Sequence, residues 1–483
     1  MTTTTQTPPR RHRTRAARLT TASRTAALAG ILTAACQSAN DRLLQVSNPD
    51  IIQPSNVQSA DGAIGLANGV IATFRNITGA SATLPGSASS SVESSWMFGG
   101  LLADEWSTSS TFIQNDETDQ RRIQLFNSSI TEQLRNLYRT RTRANDAIAA
   151  LQTYSPTSQA VIGEMYLARG YAELQLASDF CNGIPIAANT TANPPENGDP
   201  RTTAAVFALA ASSLDSAIGV TATDTSAAAL RINRASRVAR GRVALALNDT
   251  VGAAAFVAAV PTAFVYQHTF SLTTSVNTLW GQGLSARRYS VGDSLEGNTR
   301  NIRVQNAIPF ASSRDPRLGT VTIPTTGAIN GQDGLTYART TNLWGQLTAV
   351  DVATGVDARL IEAEVALRNG NAAQWLTILN ALRAAPPKLG DVQPAALAAL
   401  PDPGTANARV SLQFREKAFW TFGRGQRLGD LRRLIRQFGR PQDQVFPVGV
   451  HYKGGSYGPD VNLPVVTDEG NNPNFKGCTD RNA

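Results

Sequence analysis

Residues 356–384, VDARLIEAEVALRNGNAAQWLTILNALRA, admit few folds. Leu360, Ile361, Ala363, Ala366 and Leu367 recur at three- and four-residue spacing, and so do Ala372, Trp375, Leu376, Leu379 and Leu382. Each run therefore predicts a helix with one apolar stripe. Between them stand Asn369, Gly370 and Asn371: Gly adopts the left-handed conformation that ends a helix, and Asn caps the next one. The small Ala363 and Ala366 leave room for Trp375 and Leu379. Neither stripe can be buried by its partner alone, so this hairpin needs neighbours to stack on.

The rest of the chain supplies them. Helices are expected over residues 60–78, over 130–154 paired with 159–178 across Ser155 and Pro156, and over 202–220 paired with 232–247. A shorter helix ends near Val260. A last one covers 410–438, interrupted between Gly423 and Gly429. From 261 to about 343 Gly, Ser, Thr and Asn rise and periodicity fades. Loops of this kind on a rigid scaffold commonly carry recognition. With 42% hydrophobic and 17% charged residues, the chain can bury a large core.

The formal charge of +8 suggests a polyanionic partner until its position is considered. Six arginines, Arg10, Arg11, Arg13, Arg15, Arg18 and Arg24, precede Cys36, with no acid among them. Without them 38 cationic residues face 36 acidic ones, about +2, and a nucleic-acid role loses its support. The leader has an Arg-rich start and an apolar run over 26–35, too short to span a membrane. It ends in Leu32, Thr33, Ala34, Ala35, Cys36 and resembles a bacterial lipoprotein signal, with Thr33 where Leu is usual. Cys36 is thus the expected lipidation site, the alternative being a cleaved secretory signal with an incidental cysteine. Cys181 and Cys478 remain, an even pair that in an exported protein favours a disulfide over two unrelated thiols. His12, His268 and His451 lie far from them in sequence, so no metal or cofactor is expected.

Several segments in order resemble the SusD/RagB family of outer-membrane nutrient-uptake lipoproteins. They are the Cys36 leader; residues 165–185, a helix running into Phe180, Gly183 and Pro185; the hairpin with Glu362, Ala363, Gly370, Leu379, Asn380 and Arg383; and the run Phe414, Arg415, Glu416, Lys417, Phe419, Trp420 followed by Arg427, Asp430, Leu431, Arg432 and Arg433. Pro464, Glu469, Asn472 and Pro473 fit the family's closing pattern. The resemblance implies a mainly α fold, tetratricopeptide-like helical hairpins packed against an irregular, loop-rich ligand-binding half. It implies a lipid-anchored, surface-exposed outer-membrane protein that passes oligosaccharides or peptides to a SusC-type TonB-dependent barrel. The expected organisation is a signal peptide over 1–35, a tether over 36–59, a helical-repeat region over 60–260, a variable insert over 261–345 and a closing part over 346–483, the last three forming one intertwined domain.

No catalytic constellation is evident, and the chain reads as a binding protein rather than an enzyme. Gly454, Gly455, Ser456, Tyr457 and Gly458 match a nucleophile-elbow pattern, but Pro459 follows where a helix should start and no histidine comes after Ser456. Glu362 and Glu364 point to different faces of one helix. Asp104 and Glu105 read as solvated acids at a helix end, or as flanking a sugar. Arg424, Arg427, Arg432, Arg433 and Arg436 read as a solvated face laced to Glu416 and Asp430, or as a site for phosphate or an acidic partner. A sugar's C–H face stacks on Trp or Tyr. Trp375 and Trp420 fall in helical stripes and read as core, whereas Trp280 and Tyr289, with Trp106 or Trp344, are expected to line a ligand site. The rival reading is a periplasmic tetratricopeptide-like scaffold for envelope protein assembly.

Overall fold

The structure is a computed structural model that describes residues 58–80, 93–187, 196–324 and 330–483; Cys36, the leader and nearly all of the tether lie outside them. The helices are α1 (Ala60–Thr78), α2 (Ser95–Leu102), α3 (Ile113–Asp119), α4 (Ser128–Tyr154), α5 (Gln159–Asp179), α6 (Thr203–Val220), α7 (Ala227–Ala246), α8 (Thr250–Val257), the single turn α9 (Thr278–Trp280), α10 (Gly355–Arg368), α11 (Ala372–Ala384), α12 (Ala406–Trp420) and α13 (Arg427–Phe438). The described strands are short and pair antiparallel, two at a time: β1 (Trp106–Thr108) with β5 (Tyr289–Val291), β2 (Ile184–Ile186) with β3 (Asp199–Arg201), β4 (Val265–His268) with β10 (Val350–Thr354), β6 (Leu295–Glu296) with β7 (Ile302–Arg303), and β8 (Val321–Thr322) with β9 (Thr340–Thr341). The fold is mainly α.

Consecutive helices stack as the stripes require. α4 packs on α5, α5 on α6, α6 on α7, α7 on α8, and α10 on α11. Side-chain caps start most of them: Asn127, Thr202, Ser226, Asn371 and Thr405 each accept from a backbone N–H three residues on. In the α10–α11 hairpin Gly370 takes φ +78°. Ala363, Trp375 and Leu379 are fully buried there, and Trp375 Nε1 donates to Gln413 Oε1 on α12 at 2.9 Å. α6 is apolar enough to cross a membrane by composition, but Val206, Phe207, Ala210, Leu214 and Ala217 are buried against the neighbouring helices.

Two features tie the helical stack to the rest of the chain. β4 and β10 bring the chain out of α8 and back into α10, where Thr354 and Asp357 form a reciprocal capping box. Near the C-terminus Cys181, just past α5, is disulfide-bonded to Cys478 across 297 residues, beside the bridges Phe180 to Leu463 and Asn182 to Asp480.

The basic run does not form a solvated face. Arg424, Arg427, Arg432 and Arg433 are all buried. Arg427 pairs with Asp104, Arg424 with Asp357, and Arg433 with Glu364 and Asp430. Asp104 and Glu105 are likewise interior. α13 carries its cations inward because the surrounding elements supply carboxylates from distant parts of the chain. An unpaired buried charge is costly, so each such partner is needed.

Candidate functional site

The insert is organised around β1 and β5, in register Trp106 to Val291 and Thr108 to Tyr289. These residues share a face, and Trp106 and Tyr289 meet edge to face with ring centroids 6.2 Å apart. Trp344 lies 6.3 Å from Trp106, and Phe422 lies 4.9 Å from Trp106 and stacks on Trp344 at 6.2 Å. Phe310 extends the cluster to Phe419. Gly423, at φ +68°, closes it: a Cβ there would sit 2.7 Å from Trp344, which accounts for the glycine interruption between α12 and α13.

The structure places three of the four expected ligand-site rings in the interior. Trp106, Tyr289 and Trp344 are brought together, but at 2%, 0% and 6% exposure they form an interior joint between insert and helices. Large aromatic rings gain more from burial than from standing in water. Only Trp280 of the four keeps a half-buried ring.

A rim is built where β1 and β5 end, and α9, which carries Trp280, leads into it. The buried Asn277 accepts from Leu279 N–H at 2.8 Å and donates to Thr348 O at 2.8 Å, fixing α9. A π-turn over Gly281–Ser285 follows; such turns recur at functional sites. Arg287 then takes φ +55°, and its carbonyl accepts from Ser109 Oγ at 2.7 Å. Arg288 lies over the Phe112 ring, 4.4 Å from its centroid. It donates to Gln332 Oε1 through Nε and to Gln282 Oε1 at 3.3 Å. Leu284, Leu335 and Ile113, on the segments that carry these groups, are 38%, 63% and 64% exposed. The rim thus offers apolar surface, a guanidinium held in place by amide oxygens, and the exposed amide of Gln332.

Beneath it Lys453 Nζ donates to Ser110 O at 2.9 Å and pairs with Asp116 at 2.8 Å and Asp333 at 2.9 Å. Burial raises the Asp116 carboxyl against the pull of Lys453. At Asp333 burial also pushes upward, but Leu335 N–H, Lys453 and Thr336 N–H outweigh it and hold the carboxyl low. Among the described residues no group of three or more His, Cys, Asp or Glu is placed to hold a metal ion. Nor does the Ser456 segment form a nucleophile elbow. It closes a tight hairpin, with Gly454 at φ +101°, Gly455 at φ +70°, and His451 N–H donating to Gly455 O at 3.0 Å. Sequence reasoning missed Phe112, Gln282, Arg288 and Gln332. The available signal was the Arg287–Arg288 doublet, four residues after the run Trp280, Gly281, Gln282 and Gly283 in the aperiodic insert.

No protein-family model matches the sequence, and no curated protein matches it. Solved structures do. The chain is similar to a SusD superfamily protein from Bacteroides vulgatus, with TM-score 0.61 at 15% identity over 88% of this chain and 99% of that one. It is also similar to a SusD-like carbohydrate-binding protein from Bacteroides fragilis, with TM-score 0.58 at 13% identity over 87% and 99%. A laminarin-binding SusD-like protein matches with TM-score 0.54 at 15% identity over 87% and 99%.

Proposed function

We propose that this chain, which has the SusD fold, is a non-enzymatic outer-membrane lipoprotein, anchored through Cys36 and exposed at the cell surface. It binds oligosaccharide or peptide nutrients and delivers them to a SusC-type TonB-dependent barrel. The observation that carries this reading is the extent of the likeness. The similarity spans 99% of the solved SusD-like chains, two of which bind carbohydrate by description. The helical stack and the loop-rich insert are therefore both included.

The rim around Trp280 and Arg288 supports a ligand role. A sugar ring or peptide side chain can lie on its apolar surface while Gln332 and the guanidinium of Arg288 bond hydroxyls or carbonyls. The cluster of Trp106, Tyr289 and Trp344 holds that rim on the helical scaffold.

Two measurements test the reading. A tagged pull-down from native outer membranes in mild detergent should recover a TonB-dependent barrel in near-stoichiometric amount; recovery of periplasmic assembly proteins instead would favour a scaffold. A glycan and peptide array probed with the purified protein should show binding without turnover. Hydrolysis of any bound oligosaccharide would overturn the non-enzymatic assignment.

A further inference from the structure

A cavity of about 30 Å³ lies between the helical stack and the α12–α13 segment, lined among others by Arg242, Lys417, Gln426, Asp430, Arg433 and Arg436. That volume holds about two waters or one small polyatomic ion, and no sugar ring. Its charges do not balance. Lys417 pairs with Asp430 at 2.8 Å, and Arg433 with Glu364 and, at 3.4 Å, Asp430. Arg242 has no carboxylate partner among the described residues; it donates to Tyr171 Oη at 3.5 Å and lies over that ring. Arg436, on the last turn of α13, is exposed and makes no hydrogen bond or ion pair among them. At ion-pair distance these four cations share two carboxylates, Asp430 and Glu364, while Asp357 and Asp179 act on Arg242 from farther away. The next shell repeats the shortage. Arg432 reaches only the carbonyls of Ala177 and Ser178, and burial with Arg436 nearby pushes its pKa down to about 9.

One lining residue also carries an unmatched acceptor. Gln426 is 4% exposed and donates through Nε2 to Asp357 Oδ1 at 3.0 Å. That bond orients the amide, because a carboxylate takes only the NH2 side. Its Oε1 is then buried with no donor, a costly arrangement unless a ligand or water supplies one.

We propose that this cavity is a binding site for a hydrogen oxyanion of the phosphate class. Its oxygens accept from Arg242, Lys417 and Arg436, and its O–H donates to Gln426 Oε1. Asp430 opposes an anion, but Lys417 and Arg433 both bond its Oδ1, and the singly charged dihydrogen form has a second proton to donate to its other oxygen. Sulfate matches the charge and shape but has no proton near neutral pH, so it leaves Gln426 unsatisfied. The bound ion would join α7 to α13 and so brace the helical stack against the segment that carries Gly423. This site is separate from the rim and does not depend on what the rim binds.

Titration calorimetry with inorganic phosphate, sulfate and chloride at pH 7 and constant ionic strength tests the proposal. Saturable phosphate binding is expected, with sulfate at least about tenfold weaker, and phosphate should raise the Tm by about 2–4 °C or more. Arg436→Gln, at an exposed residue that supports no contact, should weaken phosphate by about tenfold with an unchanged ligand-free Tm, and Arg242→Gln should do the same or more. Equal response to the three salts, sulfate binding as tightly as phosphate, or wild-type phosphate affinity in Arg436→Gln would each overturn the proposal.

Discussion

Arg427 grips Asp104 with two hydrogen bonds, Nε at 2.7 Å and Nη2 at 3.0 Å, across 323 residues of sequence and with both side chains buried. Asp104 also accepts from Ile308 N–H at 2.9 Å, so one carboxylate joins α13, the turn after α2 and the insert. Removing one partner leaves the other charged and dry. Arg427→Ala or Asp104→Ala should cost about 3–5 kcal/mol in urea unfolding, whereas the double replacement Asp104→Leu/Arg427→Met should recover much of that loss. A loss below 1 kcal/mol in both single variants would show that the pair is dispensable.

The disulfide gives a prediction of another kind, because it acts largely on the unfolded chain. A crosslink spanning 297 residues lowers unfolded-state entropy by an amount worth about 5–6 kcal/mol in the chain-entropy account, which is an upper figure. Cys181→Ala/Cys478→Ala should lower the Tm by several degrees. It should also raise hydrogen exchange first around Thr479, whose N–H donates to Asn182 O at 2.8 Å. Uniform exchange with no local change near Thr479 would argue against a pinned C-terminal segment.

Buried acids set the pH response. Burial pushes the Glu105 carboxyl from its ordinary 4.5 up to about 8, and nearby Asp104 adds to this, although Gly423 N–H pulls it down. Burial likewise takes Asp179 from 3.8 to about 7. Between the ordinary and shifted values the folded protein holds a proton that the unfolded chain releases, so stability falls as pH rises through that window. The Glu105 effect is on the order of a few kcal/mol by pH 8. His268, buried against Thr78 and pushed down to about 3, has the opposite sign: stability is lost as pH falls below 6.5. Above pH 4.5 the two carboxyls together outweigh the histidine, so from these three groups thermal melts should show a maximum near pH 4 and a decline on its alkaline side. Glu105→Gln should flatten its alkaline side, and an unchanged slope in that variant would remove Glu105 as the cause.

How far the sequence could be read follows from what each residue depends on. Helical stripes are local, so residues 60–78 read as a helix match α1 residue for residue, and Asn369, Gly370 and Asn371 break α10 from α11 where the capping chemistry demands. The Arg-rich run of α13 could not be read this way, since whether an arginine is solvated or buried depends on carboxylates that arrive from Asp104, Asp357 and Glu364. The aromatic residues of the insert posed the same problem. Trp106, Tyr289 and Trp344 sit in aperiodic sequence and so looked exposed, yet the β1–β5 pairing, invisible in strands this short, turns Trp106 and Tyr289 inward, and Trp344 packs on Trp106 and Phe422. Arg288 gained its place from Phe112 and Gln332, which only the folded chain brings beside it.

That division between joint and rim can be tested by separating stability from affinity. Trp106→Ala and Trp344→Ala remove buried rings and should destabilise by about 3–5 kcal/mol, with any loss of ligand binding following the loss of folded protein. Trp280→Ala and Arg288→Ala act at the half-buried rim. They should leave the Tm within a few degrees while weakening the best ligand from the array about tenfold each, the scale of one stacking or charge-assisted contact. The measurement is paired calorimetric melting and binding titration on all four variants. Full affinity in both rim variants, with binding lost only when the interior rings are cut, would move the ligand site away from Trp280 and Arg288.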